Sequence, residues 1–195
     1  MFRIRARRST CIVFFSLLTS LMFPATSLYA QDGEKEMTSI PMISGIEMLK
    51  VGDTAPDFTI EDLSGNQFNM KEFLAKKQGV LIFFWSIFCE PCKAELPVIQ
   101  ELTREYKDRG IGFVGVAIDG TPMKDAIAAF VKQENYSFNV IIDELNPDES
   151  FKVSDPYGVA GTPTLYFIDK AGTVQFSKVG RIPKEDIEAA FKKVL

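Results

Sequence analysis

Val80-Leu81-Ile82-Phe83-Phe84-Trp85, then Ser86-Ile87-Phe88, then Cys89-Glu90-Pro91-Cys92: this stretch decides the fold. The run from Val80 to Trp85 is wholly apolar and rich in β-branched and aromatic residues. A strand with one wet face alternates, so this one is predicted to be buried on both faces. From Pro91 the period changes. Leu96, Ile99, Leu102 and Tyr106 recur at helical spacing, predicting a helix over 91–109 that Gly110 ends. Pro97 inside it lacks an N–H and is expected to kink it. A buried strand thus turns sharply into a long helix, and two cysteines stand at the turn.

Working outward, Gly52, Asp53 and Pro56 mark the entry to the domain, and residues 58–61 and 67–69 flank Ser64-Gly65-Asn66 as a small hairpin. A short helix is expected over 70–77, a second buried strand over 111–118, an amphipathic helix over 122–134 and a third strand over 140–142. A short helix is predicted over 146–153. A hairpin of 164–168 and 173–179 follows, turning through Asp169-Lys170-Ala171-Gly172, and the last helix starts at Pro183. The order, βαβαβ then ββα, predicts an α/β domain whose parallel strands come first and whose antiparallel hairpin comes last.

The first thirty residues differ in kind. Arg3, Arg5, Arg7 and Arg8 precede an apolar run of about thirteen residues from Cys11 to Phe23, and small residues follow to Ala30. That is the layout of an export signal, with cleavage expected near 27–30; the alternative, an uncleaved N-terminal membrane anchor, is disfavoured because a helix crossing a bilayer needs roughly 20 apolar residues. Residues 31–50 read as a flexible leader and 51–195 as the folded domain. Without its first thirty residues the chain has 18 basic against 26 acidic residues. An acidic surface argues against nucleic acid as the main partner, because phosphate binding needs basic clusters.

Three cysteines are present, and Cys11 lies in the signal. The exported chain keeps Cys89 and Cys92 alone, in a compartment where disulfides persist. A bridge closing so short a loop adds little stability, so the pair is expected to be chemical. A cysteine at a helix start faces unpaired N–H groups and the positive end of the dipole, both of which stabilise a thiolate. Cys89 is therefore the expected attacking sulfur, and Cys92, a turn further in, the resolving one. Zinc would need about four ligands, and a cysteine-protease nucleophile would need a histidine base; the chain has no histidine. No metal and no cofactor beyond the Cys89–Cys92 disulfide is expected.

The segment Phe84–Lys93 resembles the active-site segment of thioredoxin-like proteins, and more closely that of their extracytoplasmic TlpA/ResA-type branch. The resemblance runs from about Val51 to the C-terminus. It implies a thioredoxin fold, a central mixed sheet flanked by helices, with an N-terminal β-hairpin extension. Gly161-Thr162-Pro163-Thr164 stands where that family places its cis-proline loop, which implies a cis Pro163 and backbone pairing beside it with an extended substrate. Thioredoxin itself keeps a buried aspartate six residues before its first active-site cysteine, and Phe83 occupies that position here. Glu95, three residues after Cys92 and on the same helical face, is the expected proton acceptor for the buried thiol, as the TlpA/ResA-type spacing also implies. Trp85, Phe88, Glu90, Pro91, Thr162 and Pro163 are the expected substrate-side residues, and Asp119 a lesser neighbour of the site.

These readings imply an extracytoplasmic thiol–disulfide oxidoreductase, a monomer acting as a reductant of protein disulfides, for instance in cytochrome c maturation. It would be recharged by a membrane electron donor of the DsbD/CcdA type. The alternatives are a peroxiredoxin-type thiol peroxidase and a non-catalytic Cu(I) carrier; the first needs an arginine and a threonine around one cysteine, the second further soft ligands.

Overall fold

The computed structural model describes residues 47–195; the expected export signal and most of the expected leader lie outside the described residues. A small antiparallel hairpin, β1 (Thr59–Glu61) and β2 (Gln67–Asn69), leads into α1 (Met70–Leu74). The Asn69 side chain caps α1 by accepting the Glu72 N–H at 2.8 Å. The main sheet takes β3 (Gly79–Trp85), β4 (Ile111–Ala117), β5 (Asn139–Ile142), β6 (Thr164–Asp169) and β7 (Val174–Val179) in the order β5-β4-β3-β6-β7. Strands β3, β4 and β5 are parallel, whereas β6 runs antiparallel to β3 and β7 to β6. The helices α2 (Glu90–Tyr106), α3 (Lys124–Gln133) and α4 (Lys184–Phe191) complete the domain. This is the mixed α/β sheet that the element order implied.

β3 organises both layers of the core. All seven of its residues are buried, and successive side chains point to opposite faces. Leu81, Phe83 and Trp85 join Leu96, Ile99 and Leu102 of α2 and Ile187 and Phe191 of α4. Val80, Ile82 and Phe84 join the hairpin residues Phe58, Ile60 and Phe68, together with Leu74 and Tyr157. The hairpin extension therefore does structural work: Leu63 N–H donates to the Val140 carbonyl at 3.3 Å, and Asp62 bridges to Ile141, covering the outer edge of β5. At the other edge, Gly52 N–H reaches Val174 O and Val174 N–H reaches Asp53 O, both at 2.9 Å.

Two sequence readings change. No helix forms over 146–153. That segment folds back through a Leu145–Phe151 bridge, and a buried carboxylate organises it. Asp143 accepts hydrogen bonds from the backbone N–H groups of Val153 (2.9 Å), Ser154 (2.7 Å) and Glu144 (3.0 Å). Those side-chain bonds replace the helical ladder, a competition open to aspartate and invisible to periodicity. Residues 47–50 also pack on the domain. Leu49 N–H donates to Tyr157 O at 3.5 Å, and a Cβ on Gly158 would lie 2.0 Å from the Glu47 carbonyl, so only glycine fits there.

Candidate active site

The site is built where β3 ends. Ser86 follows the strand, and the turn Ser86–Phe88 delivers Cys89 to the first residue position before α2. Cys89 has extended backbone and caps the helix: its Sγ accepts the Cys92 N–H at 3.2 Å. A side-chain acceptor here satisfies one of the unpaired N–H groups that open every helix. Cys89 and Cys92 are joined as a disulfide, with Cα atoms 5.2 Å apart. The two sulfurs are unequal. Cys89 is half-buried, whereas Cys92 is 0% exposed and packs with Phe83 and Leu96. Only the first can be approached from outside.

The turn is fastened from β4. Beyond that strand, Ile118 N–H donates to Trp85 O at 2.9 Å and brings Asp119 beside the turn. The Ser86 hydroxyl donates to Asp119 Oδ1 at 2.6 Å, Ile87 N–H donates to Asp119 Oδ2 at 3.1 Å, and Phe88 N–H donates to Ser86 Oγ at 3.1 Å. Sequence reasoning gave Asp119 a minor place because nothing in the sequence pairs it with Ser86, 33 positions away.

Glu95 lies one turn beyond Cys92 on the inner face of α2 and is only 6% exposed. The structure gives it a backbone partner rather than a surface cation: its Oε1 accepts the Ile182 N–H at 2.6 Å. Burial pushes its carboxyl above the ordinary value of 4.5; the Ile182 hydrogen bond and the charges of Arg181 and Lys178 pull the other way and do not cancel that rise. A carboxyl so displaced can hold or release a proton nearer neutrality than a surface glutamate.

The remaining expected residues divide. Phe88 is 73% exposed and stands at the rim next to the outer sulfur. Glu90 is exposed and ion-paired to Lys93, and Pro91 is exposed in the first turn of α2, where a missing N–H does no harm. Trp85 is 0% exposed: it lies beneath the site, packed on Phe130, with its indole nitrogen in the space that Gly115 leaves open. It shapes the floor and does not line the surface. The Thr162–Pro163 peptide is cis. Thr164 begins β6 directly opposite Phe84 at the end of β3, so the loop Gly161–Pro163 sits at the same end of the sheet as the dithiol. Pro163 is buried with its carbonyl accepting the Gly180 N–H at 2.8 Å, and Thr162 is half-buried.

A half-accessible sulfur capping a helix, disulfide-bonded to a buried partner at the end of a central strand, defines a thioredoxin-fold dithiol protein. The chain belongs to the AhpC/TSA family, whose profile matches residues 51–177. Its relatives include the thiol-disulfide oxidoreductase ResA of Bacillus thuringiensis (strain Al Hakam), 34% identical over 148 residues that cover 76% of this chain and 80% of that one. Among solved structures, it resembles a Chlorobium tepidum protein assigned as thiol:disulfide interchange protein DsbE. That match has a TM-score of 0.64 and 28% identity over 75% of this chain and 98% of the other. It also resembles a thiol:disulfide interchange protein from Bacteroides sp., with a TM-score of 0.60 and 26% identity over 74% and 90% of the two chains. Fold, family and dithiol agree, and the protein is a thiol–disulfide oxidoreductase.

Proposed function

We propose that this oxidoreductase works outside the cytoplasm as a reductant of disulfides in other exported proteins, with cytochrome c maturation as one such setting, and that a membrane dithiol donor of the DsbD/CcdA type restores it. The observation that carries the reading is the inequality of the two sulfurs: Cys89 half-accessible with its Sγ on the Cys92 N–H, Cys92 sealed behind it. The signal-like residues 1–30 support export.

In the reduced protein the Cys89 thiolate attacks one sulfur of a substrate disulfide. A mixed disulfide forms, and the other substrate sulfur leaves as a thiolate that takes up a proton. Cys92 then gives up its proton and attacks the Cys89 sulfur, releasing the second substrate thiolate. The substrate has gained two electrons and the protein holds the Cys89–Cys92 disulfide. Glu95 is the group we assign to receive the Cys92 proton, since both are buried on one face of α2. The polypeptide carrying the disulfide would lie across the Gly161–Pro163 loop, with Phe88 against it and Thr162, Glu90 and Pro91 beside it.

Equilibration with glutathione buffers of known ratio tests the direction. A reductant has a potential more negative than about −200 mV, which lets it reduce disulfides at the poise of an oxidising compartment. A value near about −120 mV, that of a strong oxidant, would overturn the proposal while leaving the exchange chemistry intact.

A further inference from the structure

We propose that Ser86 and Asp119 act together as a positioning pair that sets where the Cys89 sulfur stands at the start of α2, and thereby how readily Cys89 attacks; this deepens the exchange reading above and rests on it. Past the Ser86 N–H, the turn between β3 and the nucleophile has three polar hydrogens: the Ser86 hydroxyl, the Ile87 N–H and the Phe88 N–H. All three end on one carboxylate and one hydroxyl. Asp119 takes the first two, and Ser86 Oγ, while donating, accepts the third. The Ser86 carbonyl then accepts the Cys89 N–H at 3.1 Å, so the backbone entering Cys89 is held from the same residue. Of the two side chains that follow, Ile87 is half-buried against the core and Phe88 projects into solvent.

The charge of Asp119 makes the arrangement informative. A carboxylate close to a thiolate disfavours it, so by charge alone Asp119 works against the nucleophile. Its geometry does the reverse. By fixing the turn it keeps Cys89 Sγ at the Cys92 N–H, and the N–H and helix dipole favour the thiolate. The two effects predict opposite consequences when the pair is broken. Removing the Ser86 hydroxyl isolates the geometric one, because it leaves Glu90, Lys93, Glu95 and Asp119 and their charges in place.

The experiment follows alkylation of Cys89 in the reduced full chain against pH, by peptide mass spectrometry, in Ser86→Ala and Ser86→Thr, with thermal melting in parallel. Losing one hydrogen bond to a charged sulfur displaces its titration by about one pH unit. Ser86→Ala is therefore expected to move the midpoint of the profile up by about one unit and to slow labelling at pH 7 by up to about tenfold. Ser86→Thr, which keeps the hydroxyl, returns it toward the parent. An unmoved midpoint in Ser86→Ala, or an equal displacement in Ser86→Thr, overturns the proposal. Adding Ser86→Ala to Asp119→Ala gives no further displacement if the two act as a pair, and a full additive displacement overturns that. Insulin reduction by the unaltered protein runs alongside. Its absence would remove the exchange reading, whereas the alkylation profile judges the pair either way.

Discussion

The rim and the floor of the dithiol use neighbouring residues for opposite purposes. At the rim, Phe88 is 73% exposed, Cys89 is half-accessible, and Glu90 and Lys93 form a solvent-side ion pair. On the floor, Trp85, Cys92 and Leu96 are 0% exposed and Glu95 only 6%, all held between β3 and the inner face of α2. One turn of helix separates them. The difference teaches how a dithiol is made directional: the sulfur that can be reached stands on a backbone N–H at a helix start, where a thiolate is favoured, while the one that cannot be reached is packed in hydrocarbon one turn before a carboxyl that burial displaces upward.

Cysteine substitution breaks the comparison most severely. Cys89→Ser should abolish insulin reduction and capture nothing. Cys92→Ala should abolish turnover while accumulating a mixed disulfide on Cys89, visible on non-reducing gels. If both variants trapped substrate equally, rim and floor would be interchangeable.

Truncating large side chains separates stability from function. Leu96→Ala on the floor should lose about 2–5 kcal/mol of unfolding free energy in urea titration, through lost burial and the cavity left behind. Phe88→Ala at the rim should stay within about 0.5 kcal/mol of the parent, since the side chain is solvent-exposed, yet slow reduction of a protein disulfide. A large stability loss at Phe88 would place it in the core instead.

Glu95→Gln sharpens the electrostatic half. Because burial raises the Glu95 carboxyl above 4.5, the folded chain holds a proton in the window just above 4.5 that the unfolded chain has released. Stability falls as pH climbs through that window and levels off above the raised value. Glutamine keeps an acceptor for the Ile182 N–H and carries no such slope. The stability of Glu95→Gln relative to the parent is therefore expected to rise with pH above 4.5. Urea titrations at several pH values check this, and Asp143, whose carboxyl burial also raises, is common to both proteins and cancels. A difference that does not vary with pH would show Glu95 ionising as an ordinary surface group. The smallest effect belongs to Lys93→Ala, expected to change unfolding free energy by under about 1 kcal/mol because exposed ion pairs contribute little.

Much of this was legible in the residues because long-range packing leaves a local trace where a strand is buried on both faces or a helix has one apolar stripe. Val80–Trp85 placed β3 to within a residue of its ends, the Leu96–Tyr106 spacing placed the start of α2 to within a residue but ran three residues past its end at Tyr106, where a 3-10 turn over Lys107–Arg109 follows, and the Cys-x-x-Cys spacing at their junction placed the dithiol. The lost readings are those where a side chain reaches across the fold. Asp143 turned an expected helix over 146–153 into a bridged loop by accepting three backbone N–H groups, two of them ten or eleven positions away. Asp119 found Ser86 at a separation of 33. Trp85 looked like a rim aromatic beside the cysteines, but its place at an odd position of β3, with Leu81 and Phe83, sends it to the α2 face and out of contact with solvent. Period-two alternation along β3 was the signal that could have found this, and the unbroken apolar run hid it.

The central claim is tested most directly by labelling the reduced protein with iodoacetamide across a pH series and reading each cysteine separately by mass spectrometry. The account predicts that Cys89 reacts readily below pH 8, ahead of an unperturbed thiol, while Cys92 stays unmodified until the fold is opened with denaturant. Equal labelling of both cysteines, each at the rate of an unperturbed thiol and each rising only near pH 8.5, would contradict it.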